Sequence, residues 1–182
     1  MGEVLSVKRF VASIAVVLSL SVASGVSPAQ AAETPRPTVA IGGDQASPNL
    51  DPGTIALCNW GYGDVSVASY NAAYLGTIDL RCGDSASGYV HIRANHQGQW
   101  QDRINQVGTG GLWDDLMVWA TGQAVEHPAG GYPRTLGGGK LCYSTPIFMS
   151  GPYGSIQFNP TIIVSDSNRK IITSYPTTSP AC

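Results

Sequence analysis

Charge is scarce in this sequence: Asp, Glu, Lys and Arg together make up 12% of 182 residues, with 10 basic against 12 acidic side chains. That balance excludes a polycation that holds nucleic acid tightly through its phosphates, although it permits brief engagement of RNA by a few cations. After the N-terminal region there is no second hydrophobic stretch of about twenty residues, so the sequence implies no stable membrane association. No Cys-x-x-Cys pair occurs, which argues against a structural zinc site, and no metal or cofactor is expected. Gly137-Gly138-Gly139-Lys140 lacks the spacing and the following Ser or Thr of a phosphate loop. There is no nucleophile elbow on which a serine hydrolase could be built, and no internal repeat.

What is present begins with an export pattern. Lys8 and Arg9 precede the apolar run Val11 to Val22, and Ala29-Gln30-Ala31 is a small-x-small cleavage site. Residues 1–31 therefore read as a secretion signal, with the mature chain starting at Ala32 and working outside the cell. Its removal takes away Glu3, Lys8 and Arg9 and leaves 8 basic against 11 acidic side chains, a net charge of −3 with neutral histidines. Residues 32–53, with Pro35, Pro37, Pro48 and Pro52, read as an extended leader, and 54–182 as one domain. Cys58, Cys82, Cys142 and Cys182 are an even set in an exported chain, which implies two disulfides and three possible pairings. The position of Cys82 and Cys142 at the edges of the β-rich segments around the helices favours Cys82 with Cys142, and Cys58 with Cys182.

Short β-prone runs over 54–60, 65–70 and 76–82 precede a helical section. Gly88 to Gln106 carries Ile92, His96, Trp100 and Ile104 at successive i+4 positions, one row down one helical face. Leu112 to Glu126 carries a second apolar face and stops at His127-Pro128. The last third holds β-rich runs over 140–149, 155–164 and 169–175, with a hairpin turn at Ser165-Asp166-Ser167-Asn168. Helices first and an antiparallel sheet after them indicate an α+β domain, with the helices packed on one face of the C-terminal sheet and disulfides as staples.

Two of the three histidines, His91 and His96, lie five residues apart, which places them about 140° apart around a regular helix. His96 shares the apolar row; His91 lies near the helix start on the polar side with Asn95 and Asp102. The plain alternatives are a surface histidine for His91 and, for His96, a core histidine satisfied by a backbone carbonyl. The string His91-Ile92-x-x-x-His96 ahead of Trp100, the second helix, and the terminal Arg169-Lys170-Ile171-Ile172-Thr173-Ser174-Tyr175-Pro176 resemble the metal-independent ribonuclease toxins of the barnase, EndoU and colicin type. The resemblance covers roughly Arg81 to Pro176. It implies a helix-borne histidine facing a sheet whose closing strand offers a threonine and a tyrosine, here Thr173 and Tyr175, to the same cleft.

Metal-independent RNA cleavage needs a group to take the 2′-hydroxyl proton, a group to protonate the leaving oxygen, and cations or donors around the phosphorus. Histidine suits both proton tasks near neutral pH. His96 is the expected principal acid–base residue, with His91 sharing the task if it reaches the same cleft. Lys140, Arg169 and Lys170, at the starts of their strands, are the expected phosphate-binding cations. Period two in a strand groups Ile171, Thr173 and Tyr175 on one face, with Ile172 and Ser174 opposite. The expected partners are RNA, bound transiently, and an immunity or inhibitor protein of the kind a toxin has. Two alternatives stand beside this reading: a secreted, non-catalytic binding module using Tyr- and Trp-bearing loops, and an inhibitor of an extracellular enzyme.

Overall fold

Asp51-Pro52 starts the first helix. The Asp51 carboxylate accepts hydrogen bonds from the Thr54 backbone N–H at 2.8 Å and from its hydroxyl at 3.0 Å, and Pro52 stands where its missing N–H costs nothing. These two residues outweigh the β-prone texture of 54–60, which is helical and not extended. The computed structural model describes the backbone of Thr38–Ala40 and residues 50–182; the expected secretion signal and cleavage point lie outside them. The elements in order are β1 (Thr38–Ala40), α1 (Pro52–Asn59), β2 (Ser66–Ala72), β3 (Gly76–Arg81), α2 (Gly88–Val107), α3 (Trp113–Glu126), β4 (Arg134–Leu136), β5 (Lys140–Tyr143), β6 (Ile147–Gly151), β7 (Gly154–Ser165) and β8 (Ile171–Thr177). They belong to one compact unit, Thr34–Cys182. Part of the stretch read as a leader thus joins the fold: β1 pairs in parallel with β6, Thr38 opposite Phe148.

The sheet is organised by β7. Its early half pairs with β6, Ile147 opposite Phe158, and its later half with β5, Tyr143 opposite Ile162. The two registers are continuous, so β5 and β6 form one interrupted strand on one side of β7, broken by Ser144-Thr145-Pro146. β4 lies outside β5, and β8 runs antiparallel on the other side of β7. β2 and β3 form a separate hairpin, bridged from Asp79 to Lys170, the residue just before β8.

The α+β architecture is as the element order indicates, with α2 and α3 on one face of the sheet. Trp100 of α2 is fully buried and donates its indole N–H to the Ser174 carbonyl at 3.1 Å. The Thr121 hydroxyl of α3 meets the Ser174 hydroxyl at 2.8 Å. Ile92, Trp100, Ile104, Met117, Ala120, Ala124, Ile162 and Val164 are all buried between these layers. Expected strand alternation fails in β8 at one point. Ile163 stands opposite Thr173 while Val164 stands opposite Ile171, so Ile172 is an extra residue, a bulge that resets the faces. Ile171 therefore joins Ser174 on the helix side; Thr173 and Tyr175 share the other strand face, and because β8 is an edge strand the Tyr175 ring still meets α2 around that edge.

Both disulfides form, with a pairing different from the expected one: Cys58 with Cys82, Cα atoms 4.9 Å apart, and Cys142 with Cys182 at 6.0 Å. The β-rich segments before and after the helices are in different sheets, which separates Cys82 from Cys142. Cys82 follows β3 and meets the end of α1. Cys142 lies opposite Ile163, on the sheet face over which the C-terminal tail returns. There the Asn159 side chain donates to the Thr178 carbonyl and the Ala181 N–H to the Thr161 hydroxyl. Among the described residues there is no unpaired cysteine, and no helix is long and apolar enough to cross a membrane.

Candidate functional site

The site is built from the turn that launches α2. The Asp84 carboxylate accepts from the Ala86 and Ser87 N–H groups at 2.7 and 3.0 Å, and the Asp84 N–H donates to the Ser87 carbonyl at 2.9 Å. Gly83 makes this tight loop possible. Its φ is +68°, and a Cβ there would lie 1.9 Å from the Ser87 carbonyl oxygen, so only glycine fits. The loop presents the Ser85 carbonyl to His91, whose Nδ1 lies 2.9 Å from it. A carbonyl can only accept, so the neutral imidazole carries its proton on Nδ1 and leaves Nε2 as the lone pair. One turn on, Asn95 donates to the His91 carbonyl at 2.9 Å and also approaches its Nδ1 at 3.2 Å.

His96 is half-buried, and its Nδ1 lies 3.2 Å from the Gln99 side-chain oxygen. With the Gln99 oxygen as acceptor, this ring too donates from Nδ1. Its ring stacks on Tyr175 of β8, centroids 4.9 Å apart and planes inclined by 27°. The His91 ring meets the His96 ring edge-on at 5.9 Å. The angular separation around the helix does not keep the rings apart, because it describes where side chains leave the axis and not where imidazoles of this reach end. Burial holds the His96 pKa below the ordinary histidine value, the Gln99 hydrogen bond opposes that shift, and positive charge on His91 adds to it. Among the described residues neither histidine Nε2 has a hydrogen-bond partner. Thr173 lies on the same face of β8 as Tyr175, with its hydroxyl shielded from solvent and making no hydrogen bond within the described residues.

The expected cations are not gathered here. Lys170 is drawn to Asp64 at 3.4 Å, in a cluster where Arg81 reaches Asp64 at 3.1 Å and Asp79 at 3.6 Å. Arg169 has its guanidinium on the Leu75 carbonyl. Lys140 is opposite Ser165 on β5, the far side of β7 from β8 and, along the strand, roughly 13 Å from the level of Tyr175. Sequence reasoning missed Ser85 and Gln99, and named Asn95 only as a polar-side neighbour of His91. The Asn95 and Gln99 spacings, i+4 from His91 and i+3 from His96, were the available signal. No group of three or more His, Cys, Asp or Glu side chains among the described residues is placed to hold a metal ion.

No protein-family model matches the chain. It is similar to two uncharacterized proteins of Mycobacterium tuberculosis, from strain H37Rv and from strain CDC 1551 / Oshkosh, each 30% identical over 112 residues. The matched stretch is 61% of this chain and 41% of each relative, so the chain corresponds to less than half the length of either.

Proposed function

We propose that the chain is an exported ribonuclease-like protein that cleaves RNA by histidine acid–base chemistry, without a metal. The observation that carries the reading is the row His91, His96, Tyr175: two imidazoles within 5.9 Å, each bound through Nδ1 so that Nε2 is the working atom, with a tyrosine stacked on the second. In this scheme His96, kept neutral by burial, takes the 2′-hydroxyl proton through Nε2. The 2′ oxygen attacks phosphorus, the bond to the 5′ oxygen breaks, and protonated His91 supplies the proton that leaves with it. The products are a 2′,3′-cyclic phosphate and a 5′-hydroxyl. Charge on His91 opposes charge on His96, so the doubly protonated pair is disfavoured. Tyr175 is the donor to a phosphate oxygen; Thr173, on the same strand face, keeps its hydroxyl shielded from solvent and so out of reach of the phosphate.

Two disulfides with no unpaired cysteine among the described residues support an oxidising destination, in keeping with the export pattern at the N-terminus. The resemblance to ribonuclease toxins adds an immunity or inhibitor protein as a partner. One observation favours a second reading, a non-catalytic binding module. Arg169 and Lys170 are engaged elsewhere, whereas Trp60 and Tyr62 stand 74% and 57% exposed in the loop after α1, ready to stack on a partner. The test is incubation of the purified, disulfide-bonded chain with end-labelled RNA in the presence of a chelator. Fragments ending in a 2′,3′-cyclic phosphate support the ribonuclease; intact RNA across a range of salt and pH supports the binding module.

A further inference from the structure

We infer that the segment after β8, residues 178–182, is a strap that the Cys142–Cys182 disulfide holds closed and that a dithiol opens, baring the sheet face beside Tyr175. The inference stands whether or not the chain cuts RNA. β7 turns Asn159 and Thr161 away from α2 and α3, yet Thr161 is fully buried and Asn159 only 9% exposed. Their cover is 178–182. The Asn159 amide donates to the Thr178 carbonyl at 2.9 Å, the Ala181 N–H to the Thr161 hydroxyl at 3.1 Å, and the Arg134 guanidinium to the Cys182 carbonyl at 3.3 Å. None of 178–182 belongs to the apolar core. The segment is therefore held by polar contacts and one covalent bond. Hydrogen bonds that water can replace contribute little net, so the disulfide decides whether the segment stays down.

The two disulfides differ in how a reductant meets them. Cys58, Cys82 and Cys142 are buried, whereas Cys182 is half-buried at the end of an exposed segment. Exchange begins with attack of a thiolate on one sulfur, so access selects Cys182 Sγ. One thiolate of the dithiol bonds to Cys182 Sγ as the Sγ–Sγ bond breaks, and Cys142 leaves as the thiolate. The second thiol, deprotonated, then attacks the dithiol's own sulfur in the mixed disulfide and expels Cys182 as a thiolate. The dithiol is oxidised by two electrons to its disulfide, and the two cysteines take up those electrons and the two protons. Thr161, bound to the strap, stands directly opposite Tyr175, and Cβ atoms of such a pair lie about 4.5–5.5 Å apart. Tyr175 in turn stacks on His96. The strap therefore bounds the candidate site on its sheet side, and its release changes the surroundings of the Tyr175 ring.

The experiment is graded reduction of the native, disulfide-bonded chain with dithiothreitol, followed by alkylation with iodoacetamide and peptide mapping, beside the variant Cys182→Ser. Cys142 and Cys182 should be alkylated at least about tenfold faster than Cys58 and Cys82, in a chain that still melts cooperatively. In folded Cys182→Ser, iodoacetamide without reductant should label Cys142, because nothing but the bond keeps the strap over it. Nuclear magnetic resonance of that variant should show the Tyr175 ring signals shifted and those of Tyr74, 85% exposed between β2 and β3, unmoved. Reduction of Cys58–Cys82 as fast as that of Cys142–Cys182, or a Cys142 thiol that stays protected in folded Cys182→Ser, overturns the inference; unmoved Tyr175 signals overturn its connection to the candidate site. Should Cys182→Ser fail to melt cooperatively, the partly reduced wild type decides the same question: labelling of both Cys142 and Cys182 supports release, and labelling of Cys182 alone overturns it. RNA cleavage plays no part in these readouts, so failure here is separate from failure of the ribonuclease reading.

Discussion

His96 ties the chemistry of the site to the stability of the fold. Its pKa is lowered in the folded protein mainly because burial disfavours the imidazolium, while in the unfolded chain it titrates near the ordinary value of about 6.5. The unfolded state therefore binds the proton more readily. The stabilising contribution is complete above about pH 6.5 and is lost as pH falls through the lowered folded-state value. Melting temperature should decline between pH 7 and pH 5 in the wild type, and more gently in His96→Gln; parallel curves would contradict the assignment. Thr173 bears on stability in another way. Its buried hydroxyl has no partner among the described residues, and replacing an unsatisfied polar group by an apolar one of the same shape is nearly neutral. Thr173→Val should therefore leave the melting temperature within a degree or two and, because the hydroxyl is shielded from solvent, leave RNA turnover near the wild-type rate; a large loss of turnover would contradict its placement away from the substrate.

At the scale of elements, the loop before α2 and the strand β8 decide whether these residues meet. Gly83→Ala places a Cβ 1.9 Å from the Ser87 carbonyl oxygen at positive φ. It should displace Ser85 and release His91, destabilising the domain by about 1–3 kcal/mol in a denaturant titration. Trp100→Phe removes the indole donor from the Ser174 carbonyl and should cost on the order of 1–3 kcal/mol, since it leaves a buried acceptor unmet. The two long helices were legible in the sequence because their apolar rows repeat over several turns, and α2 and α3 begin and end within about a residue of the expected bounds. The bulge at Ile172 was not legible, since nothing in Ile171-Ile172-Thr173 distinguishes an extra residue from regular alternation. α1 was not legible as a helix because its start signals, Asp51 and Pro52, act through a local cap that outweighs the β-prone residues after it. The meeting of His91 with His96 depends on where the Asp84–Ser87 loop puts one carbonyl, which helical periodicity does not encode.

For the whole molecule, the disulfides close the two ends of the domain separately: Cys58–Cys82 fastens α1 to the β2–β3 hairpin, and Cys142–Cys182 fastens the tail to β5. Sequence separations of 24 and 40 residues give each bond roughly 3–4 kcal/mol in the chain-entropy picture. Peptide mapping without reductant should recover these two pairs. Reduction of both should lower the melting temperature by more than 10 °C, and a melting temperature that reduction leaves unchanged would show that neither bond constrains the chain. Four cysteines announced two bonds, but the pairing depended on which sheet each segment joins, and that is a property of the assembled layers. The central claim concerns the histidine pair, and its most direct test is the single-turnover rate of RNA cleavage by the wild type, His91→Ala, His96→Ala and His127→Ala, with folding of each confirmed by a cooperative melt. Loss of an acid or base costs about 10²–10⁴-fold, so His91→Ala and His96→Ala should each fall by about a hundredfold or more while His127→Ala keeps the wild-type rate. Undiminished cleavage by a folded His96→Ala, or a wild type that leaves RNA intact, contradicts the account.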